Sequence, residues 1–232
     1  MNAGQYSLLT MNNHTETVPA ELLQLKNYSV SGTRTLEKLY KLGRDVVARD
    51  VPGDFVECGV YNGGSAAAMA CALRNSTRRI WLFDSFQGMS ATSEVDGIEA
   101  SRYVGALVGN EERVRQAMRT AGLSENRYVI RKGWFADTLQ IPLPEQVAQL
   151  HIDADWYDNV MLILRTFYDR VSDGGAIILD DFGHWEGCRE AFYDFVRERG
   201  IKPLLERCGH TQAFWIKGRG HNRDFSSKGE IP

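Results

Sequence analysis

The sequence predicts an α/β fold: a mostly parallel sheet, helices on both faces and an antiparallel hairpin at the C-terminal end. Three observations predict it. Short, mostly apolar runs recur along the 232-residue chain, each about the length of a typical strand. Between most of them lie longer stretches with apolar residues near i, i+3, i+4 spacing, the mark of amphipathic helices. The last two runs have no helical stretch between them, so they are expected to pair directly and antiparallel.

In chain order, residues 1–32 are polar and irregular and are expected to form a segment that can cover an active site. A helical pattern then runs over 33–50, with Leu36, Leu39, Tyr40, Val46 and Val47 on one side, until Pro52-Gly53 breaks it. Strands are expected at 54–58 (DFVEC), 79–83 (RIWLF), 127–131 (RYVIR), 148–152 (AQLHI), 175–179 (GAIIL), 201–205 and 212–216 (QAFWI). Helices are expected near 65–75, 111–121, 158–171 and 186–199. Strands alternating with helices make a parallel sheet covered on both faces. With a terminal hairpin, this is the Rossmann-like pattern of class I methyltransferases. The Gly- and Ser-rich stretch 86–110 is long for a connection and reads as a lid-like insertion in a domain over 33–217. From Gly218 onward the chain is a polar tail.

Composition narrows the function classes. Apolar residues make up 43% and charged residues 25% of the chain, ordinary proportions for one globular domain. A net charge of −3 offers no attraction for nucleic acid or an anionic membrane. No apolar stretch approaches the ~20 residues that span a bilayer, and the polar start is not a signal peptide. The four cysteines, Cys58, Cys71, Cys188 and Cys208, are widely spaced and read as small apolar residues of a cytoplasmic protein.

Ligands of doubly wound sheets sit at the carboxyl ends of the strands. The first strand ends in Glu57-Cys58-Gly59-Val60-Tyr61-Asn62-Gly63-Gly64-Ser65 before a helix. A nicotinamide dinucleotide site needs G-x-G-x-x-G, and here Tyr61 stands at the second glycine. A carboxylate at Glu57 also disfavours phosphates. It suits a ligand with an ammonium and a sulfonium, which describes S-adenosylmethionine. Asp84, at the end of the second strand with Ser85 beside it, is placed to accept hydrogen bonds from ribose hydroxyls. Trp134 and Phe135, after the third strand, can wall an adenine or simply pack a short helix.

The acidic constellation carries the most chemistry. The fourth strand ends in Asp153-Ala154-Asp155 and the fifth in Asp180-Asp181. Singly, each reads as a turn or cap residue. Brought to one sheet edge, four carboxylates repel one another unless a cation lies among them, and Mg²⁺ favours such oxygen donors. Coordination of a hydroxyl lowers its pKa, and a carboxylate beside it takes the proton. Asp155, on the turn, is the candidate for that base. His151, within a strand, reads as core or as a support behind the ligands; His184 is near enough to the acidic edge to touch substrate.

With these residues laid out, the sequence resembles the macrocin O-methyltransferase family, metal-dependent enzymes that methylate sugars on macrolides and related antibiotics. The matching stretches are VPGDFVECGVYNGGS (51–65), WLFDSFQGM (81–89), GWFADTL (133–139), HIDADWYDN (151–159) and ILDDFGHWEGCREA (178–191). The resemblance implies a class I methyltransferase fold, a homo-oligomer and a small glycosylated substrate. It implies cofactor contacts at Glu57, Gly59 and Asp84, with Tyr61, Ser65, Ser85, Trp134, Phe135 and Asp153 around them. It implies metal ligands at Asp153, Asp180 and Asp181, and a base at Asp155. One stretch departs: Asp155-Trp156-Tyr157-Asp158-Asn159 stands where the family reads like DLYES or DMYES, and Trp156 is expected to reshape the acceptor pocket. The competing readings are a metal-dependent phenol or catechol methyltransferase, a nicotinamide-dependent oxidoreductase, and a phosphohydrolase suggested by Asp153-x-Asp155. The last motif normally stands on the first strand of its domain, and here it follows the fourth.

Overall fold

Residues 19–221 are described by the computed structural model; most of the expected N-terminal cover and of the polar tail lies outside them. The first element, α1 (Glu21–Leu25), buries Leu22 and Leu25. This corrects the expectation of an irregular segment up to residue 32. Two leucines three apart make a single apolar turn, too short a pattern to stand out from a polar background. The next helix, α2 (Thr33–Ala48), buries Leu36, Leu39, Tyr40, Leu42 and Val46 along one stripe, as its periodicity requires.

Seven strands follow: β1 (Asp54–Cys58), β2 (Ile80–Asp84), β3 (Tyr128–Lys132), β4 (Val147–Ile152), β5 (Val171–Leu179), β6 (Glu206–Cys208) and β7 (Gln212–Ile216). Their order across the sheet is β3-β2-β1-β4-β5-β7-β6. The first five pair in parallel, and β7 is antiparallel to both β5 and β6. The order reverses between β1 and β4, which opens the crevice where ligands of such sheets bind.

Register sets the site. Cys58 lies level with Phe83 on one side and Ile152 on the other, and Ile152 lies level with Leu179. Gly59, Asp84, Asp153 and Asp180 therefore leave the sheet along one edge. The backbone ladder runs on through Asp153 N–H to the Cys58 carbonyl at 2.8 Å and Asp180 N–H to the Ile152 carbonyl at 2.9 Å.

Helices cover both faces. On one side α2 and α3 (Gly64–Ala72) pack with Phe55, Leu82 and Ile178. Every residue of α3 is buried, and its Ala-rich sequence lets it lie close to the sheet and to α2. Short α4 (Gly97–Ala100) lies within the 86–110 stretch, followed by α5 (Glu111–Thr120) and α6 (Phe135–Thr138). The other face carries α7 (Tyr157–Phe167) and α8 (Glu186–Arg199), which bury Val160, Leu164, Ala191 and Phe195 against Val56, Leu150 and Ile177.

The strand expected at 201–205 is displaced to Glu206–Cys208. Gly200, at φ 63°, ends α8 in the left-handed conformation, and Pro203 has no N–H to donate to a ladder. Ile201 and Leu205 pack into the core without strand pairing. The four cysteines are buried and unpaired, and no helix among the described residues is long and apolar enough to cross a membrane.

Candidate active site

The turn after β1 is shaped by glycine and by one carboxylate. Gly59 adopts φ 91° and Gly63 φ 89°. A Cβ at Gly59 would overlap the Asp153 carbonyl oxygen, so Gly59→Ala adds a backbone clash to left-handed strain. The expected loss is ~3 kcal/mol or more of unfolding free energy by denaturant titration; a loss below ~1 kcal/mol would show that β1 and β4 separate easily at this edge. Asp84 accepts the backbone N–H groups of Val60 (2.7 Å) and Tyr61 (2.8 Å) through Oδ2 and of Phe86 (2.6 Å) through Oδ1. Three acceptor positions are thus taken by the backbone, and the carboxylate clamps the turn as well as lining the pocket. Tyr61, at φ 51°, is held in an unfavourable conformation partly by this clamp.

A small cleft with a cavity volume of about 100 Å³, open at its mouth, lies over this turn. Gly59, Tyr61, Asp84 and Ser85 form one wall; Trp134, Phe135, Asp153 and Asp155 form the opposite parts. These are eight of the residues expected at the site. Glu57 and Ser65 are buried beneath it and do not line it. In the parallel register Glu57 lies level with His151, and Oε1 is 2.7 Å from His151 Nδ1. The ammonium partner that the sequence suggested for Glu57 is therefore, in this structure, an imidazole. Oε2 is buried with no hydrogen-bond partner among the described residues.

The acidic edge assembles as the strand order demands. Donor atoms of His151, Asp153 and Asp180 all lie within 4.8 Å of one another. His151 Nε2 is 3.2 Å from Asp180 Oδ1, which also accepts from Gln212 Nε2. Asp181 falls outside that group, and its Oδ2 is buried without a hydrogen-bond partner. Asp155, at φ 57°, stands on the turn after β4 and accepts from Trp185 Nε1 at 3.1 Å.

The electrostatics follow from crowding like charges in a buried place. Burial first, then Asp180, Asp181 and Asp155, push the Asp153 carboxyl well above the usual range. Burial, then Asp155 and Asp180, do the same to Asp181. Asp155 is pushed up to about 7, chiefly by burial, with Asp180 and Asp96 adding to it and the Trp185 bond opposing. Burial alone would lower His151, but hydrogen bonds to Asp180 and Glu57 outweigh it and push it up to about 9. These bonds favour the protonated imidazole between the two carboxylates, while burial raises the Glu57 carboxyl itself.

The 86–110 stretch closes one side. Asp96 is buried, accepts Ser93 N–H at 2.7 Å through Oδ2, and accepts Tyr157 N–H at 2.7 Å through Oδ1. Trp156 Nε1 donates to the Ser90 carbonyl at 3.0 Å, and Asn159 Nδ2 to Ser90 Oγ at 2.9 Å. The stretch is therefore pinned to Trp156, Tyr157 and Asn159, which follow Asp155.

Sequence reasoning did not single out Asn159, Met89 or Ser90, which line the pocket, and it placed no role on Trp185. It did note Trp156 as a departure, and Trp156 is a pocket wall. The signal for the Glu57–His151 pair was present: each is a charged or polar residue within a mostly apolar strand, and such residues need a partner.

Comparison with known proteins adds to the geometry. The model of the family described as macrocin-O-methyltransferase (TylF) matches residues 14–217. A tetracenomycin-modifying enzyme of Streptomyces olivaceus, 8-demethyl-8-(2,3-dimethoxy-alpha-L-rhamnosyl)-tetracenomycin-C 4'-O-methyltransferase, is 32% identical over 81% of this chain and 75% of its own. The demethyldecarbamoylnovobiocin O-methyltransferase of Streptomyces niveus is 31% identical over 83% of this chain and 76% of its own. The solved structure of the O-methyltransferase NovP superposes with a TM-score of 0.77 at 30% identity, covering 83% of each chain.

Proposed function

Because the chain belongs to the macrocin O-methyltransferase family, we propose that it is a Mg²⁺-dependent enzyme that methylates a sugar hydroxyl of a glycosylated natural product with S-adenosylmethionine. The observation that carries the metal-dependent part is the acidic edge: Asp153, Asp155, Asp180 and Asp181 at the ends of two neighbouring strands, beside the glycine-turn pocket. The relatives' names support the substrate class, since one specifies a rhamnosyl tetracenomycin and another mycinamicin III.

The donor set fits a hard cation. Asp153 and Asp180 would supply converging carboxylate oxygens, with Asp181, outside that cluster, as the third ligand the family resemblance implies; the charges acting on Asp153 and Asp181 are mostly other carboxylates, so a divalent cation would relieve a repulsion built into the fold. His151, hydrogen-bonded between Glu57 and Asp180, orients Asp180. When bound, the cation lowers the pKa of an acceptor hydroxyl and fixes its oxygen. Gly59 lets the methyl donor approach the turn, Asp84 accepts from its ribose at the acceptor position the backbone leaves open, and Tyr61, Trp134 and Phe135 wall its adenosine. Asp155 takes the hydroxyl proton at Oδ2, the oxygen that Trp185 leaves free. The 86–110 stretch excludes water as a cover. The enzyme acts as a homo-oligomer on a small molecule, without nucleic acid or membrane.

The test is a thermal-shift and calorimetric titration with Mg²⁺, S-adenosylhomocysteine and chelator. Micromolar S-adenosylhomocysteine binding and a Tm raised by Mg²⁺ are expected. In chelator, Asp155 has a folded pKa of about 7 against ~3.9 unfolded. Its neutral form favours folding fully below pH ~4, and that contribution is lost as pH rises through 7. Metal-free Tm is therefore expected to fall from pH 5 to 8, and the Mg²⁺-induced rise to be largest at pH 8. A Tm indifferent to Mg²⁺ at pH 8 would exclude the metal site; no S-adenosylhomocysteine binding would exclude the cofactor.

A further inference from the structure

The connection from β5 to α8 carries Asp180 and Asp181 and ends in Trp185, whose backbone N–H is fixed on the Asp181 carbonyl at 2.9 Å. The Trp185 indole Nε1 then reaches across to Asp155 Oδ1 at 3.1 Å. We propose that Trp185 is the positioning residue of the Asp155 carboxylate, turning its free oxygen toward the acceptor hydroxyl. The proposal rests on Asp155 being the proton acceptor of the reaction.

The chemistry of the donor matters. Asp155 sits on a turn at φ 57°, and its short side chain can rotate unless something holds one oxygen. Lysine, arginine or protonated histidine would hold it, but each would also neutralise the charge that makes it a base. Indole is a donor only and carries no charge, so it fixes Oδ1 and leaves the carboxylate able to accept a proton at Oδ2.

The indole is itself immobilised by three rings. Trp156 lies at 5.0 Å between centroids, Tyr103 at 5.2 Å and His184 at 4.4 Å, in the tilted and edge-on arrangements such pairs prefer. Tyr103 comes from the 86–110 stretch, which Asp96 and Ser90 pin beside α7. One ring therefore gathers the metal-bearing loop, the base and the covering stretch. Misplacing a catalytic group by ~1 Å costs roughly 10²-fold in rate, so loss of the indole N–H should be felt in turnover and little in binding.

The test is Trp185→Phe, which keeps a ring and removes the N–H. On a glycoside that the wild type methylates, kcat is expected to fall roughly 10- to 100-fold. The KM for that glycoside and the affinity for S-adenosylhomocysteine should stay within about twofold, since neither contact is touched. A second readout needs no acceptor. In ¹H–¹⁵N spectra of the Mg²⁺-loaded full chain, Trp185→Phe removes one of the five tryptophan indole signals, and Asp155→Ala is expected to shift that same signal. A wild-type kcat in Trp185→Phe, equal losses of kcat and S-adenosylhomocysteine affinity, or an indole signal unmoved by Asp155→Ala would each overturn the proposal. A wild type that binds S-adenosylhomocysteine but methylates no glycoside counts against the proposed function, and the indole signal then decides this proposal alone.

Discussion

Asp180→Ala is expected to lower kcat by about three orders of magnitude while S-adenosylhomocysteine affinity changes less than about threefold. Cation stabilisation of developing charge is worth several kcal/mol, and ~4 kcal/mol corresponds to roughly 10³ in rate. Affinity is spared because Asp180 does not line the glycine-turn pocket. The alanine also strips an acceptor from His151 Nε2 and Gln212 Nε2, which costs about 1–3 kcal/mol of stability per orphaned donor. Asp180→Asn separates the two effects, since it keeps an oxygen acceptor and removes the charge. Both variants should lose turnover, and the asparagine variant should melt closer to wild type. Near-normal activity in either variant, in chelator, would end the metal mechanism.

Asp155→Asn is expected to lower kcat by roughly 10²- to 10⁴-fold, the usual contribution of a positioned general base. The amide oxygen can still accept from Trp185, so the local geometry is kept while the proton acceptor is lost. Binding of S-adenosylhomocysteine and the KM for the acceptor should change little, because the ligands assigned to the cation are Asp153, Asp180 and Asp181. Retention of more than about a tenth of the activity would move the proton-accepting role elsewhere. His184 is then the first residue to test, since its ring packs on Trp185 beside the same carboxylate.

Much of this site could be read from strand ends. Gly59, Asp84, Asp153 and Asp180 were each identified as the residue leaving a strand, and parallel register brings such residues to one edge without further information. Other features depend on contacts between distant segments. Glu57 looked like a ligand for a positive group because a carboxylate beside the glycine turn suits an ammonium and a sulfonium; the group it meets in this structure is His151, 94 residues away. Trp185 carried no sequence signal beyond its place after Asp181, because an indole donor is recognisable only when its acceptor is in view. The short helix Glu21–Leu25 and the shifted strand Glu206–Cys208 escaped for a different reason: one turn or three residues hold too few positions for a period to register.

The sequence by itself determined the class of fold, the succession of its elements and which acidic and glycine residues stand where strands stop. These follow from local periodicity and from residue type. Tertiary structure alone decided how those residues are used. It spent three of Asp84's acceptor positions on the glycine turn, set the His151 imidazole between Glu57 and Asp180, and laid an indole N–H on Asp155. The physical reason is the range of the forces involved. Backbone preference and apolar period act over a few neighbours in the chain, whereas hydrogen bonds and charge in a buried site act between whichever groups packing brings within a few ångströms.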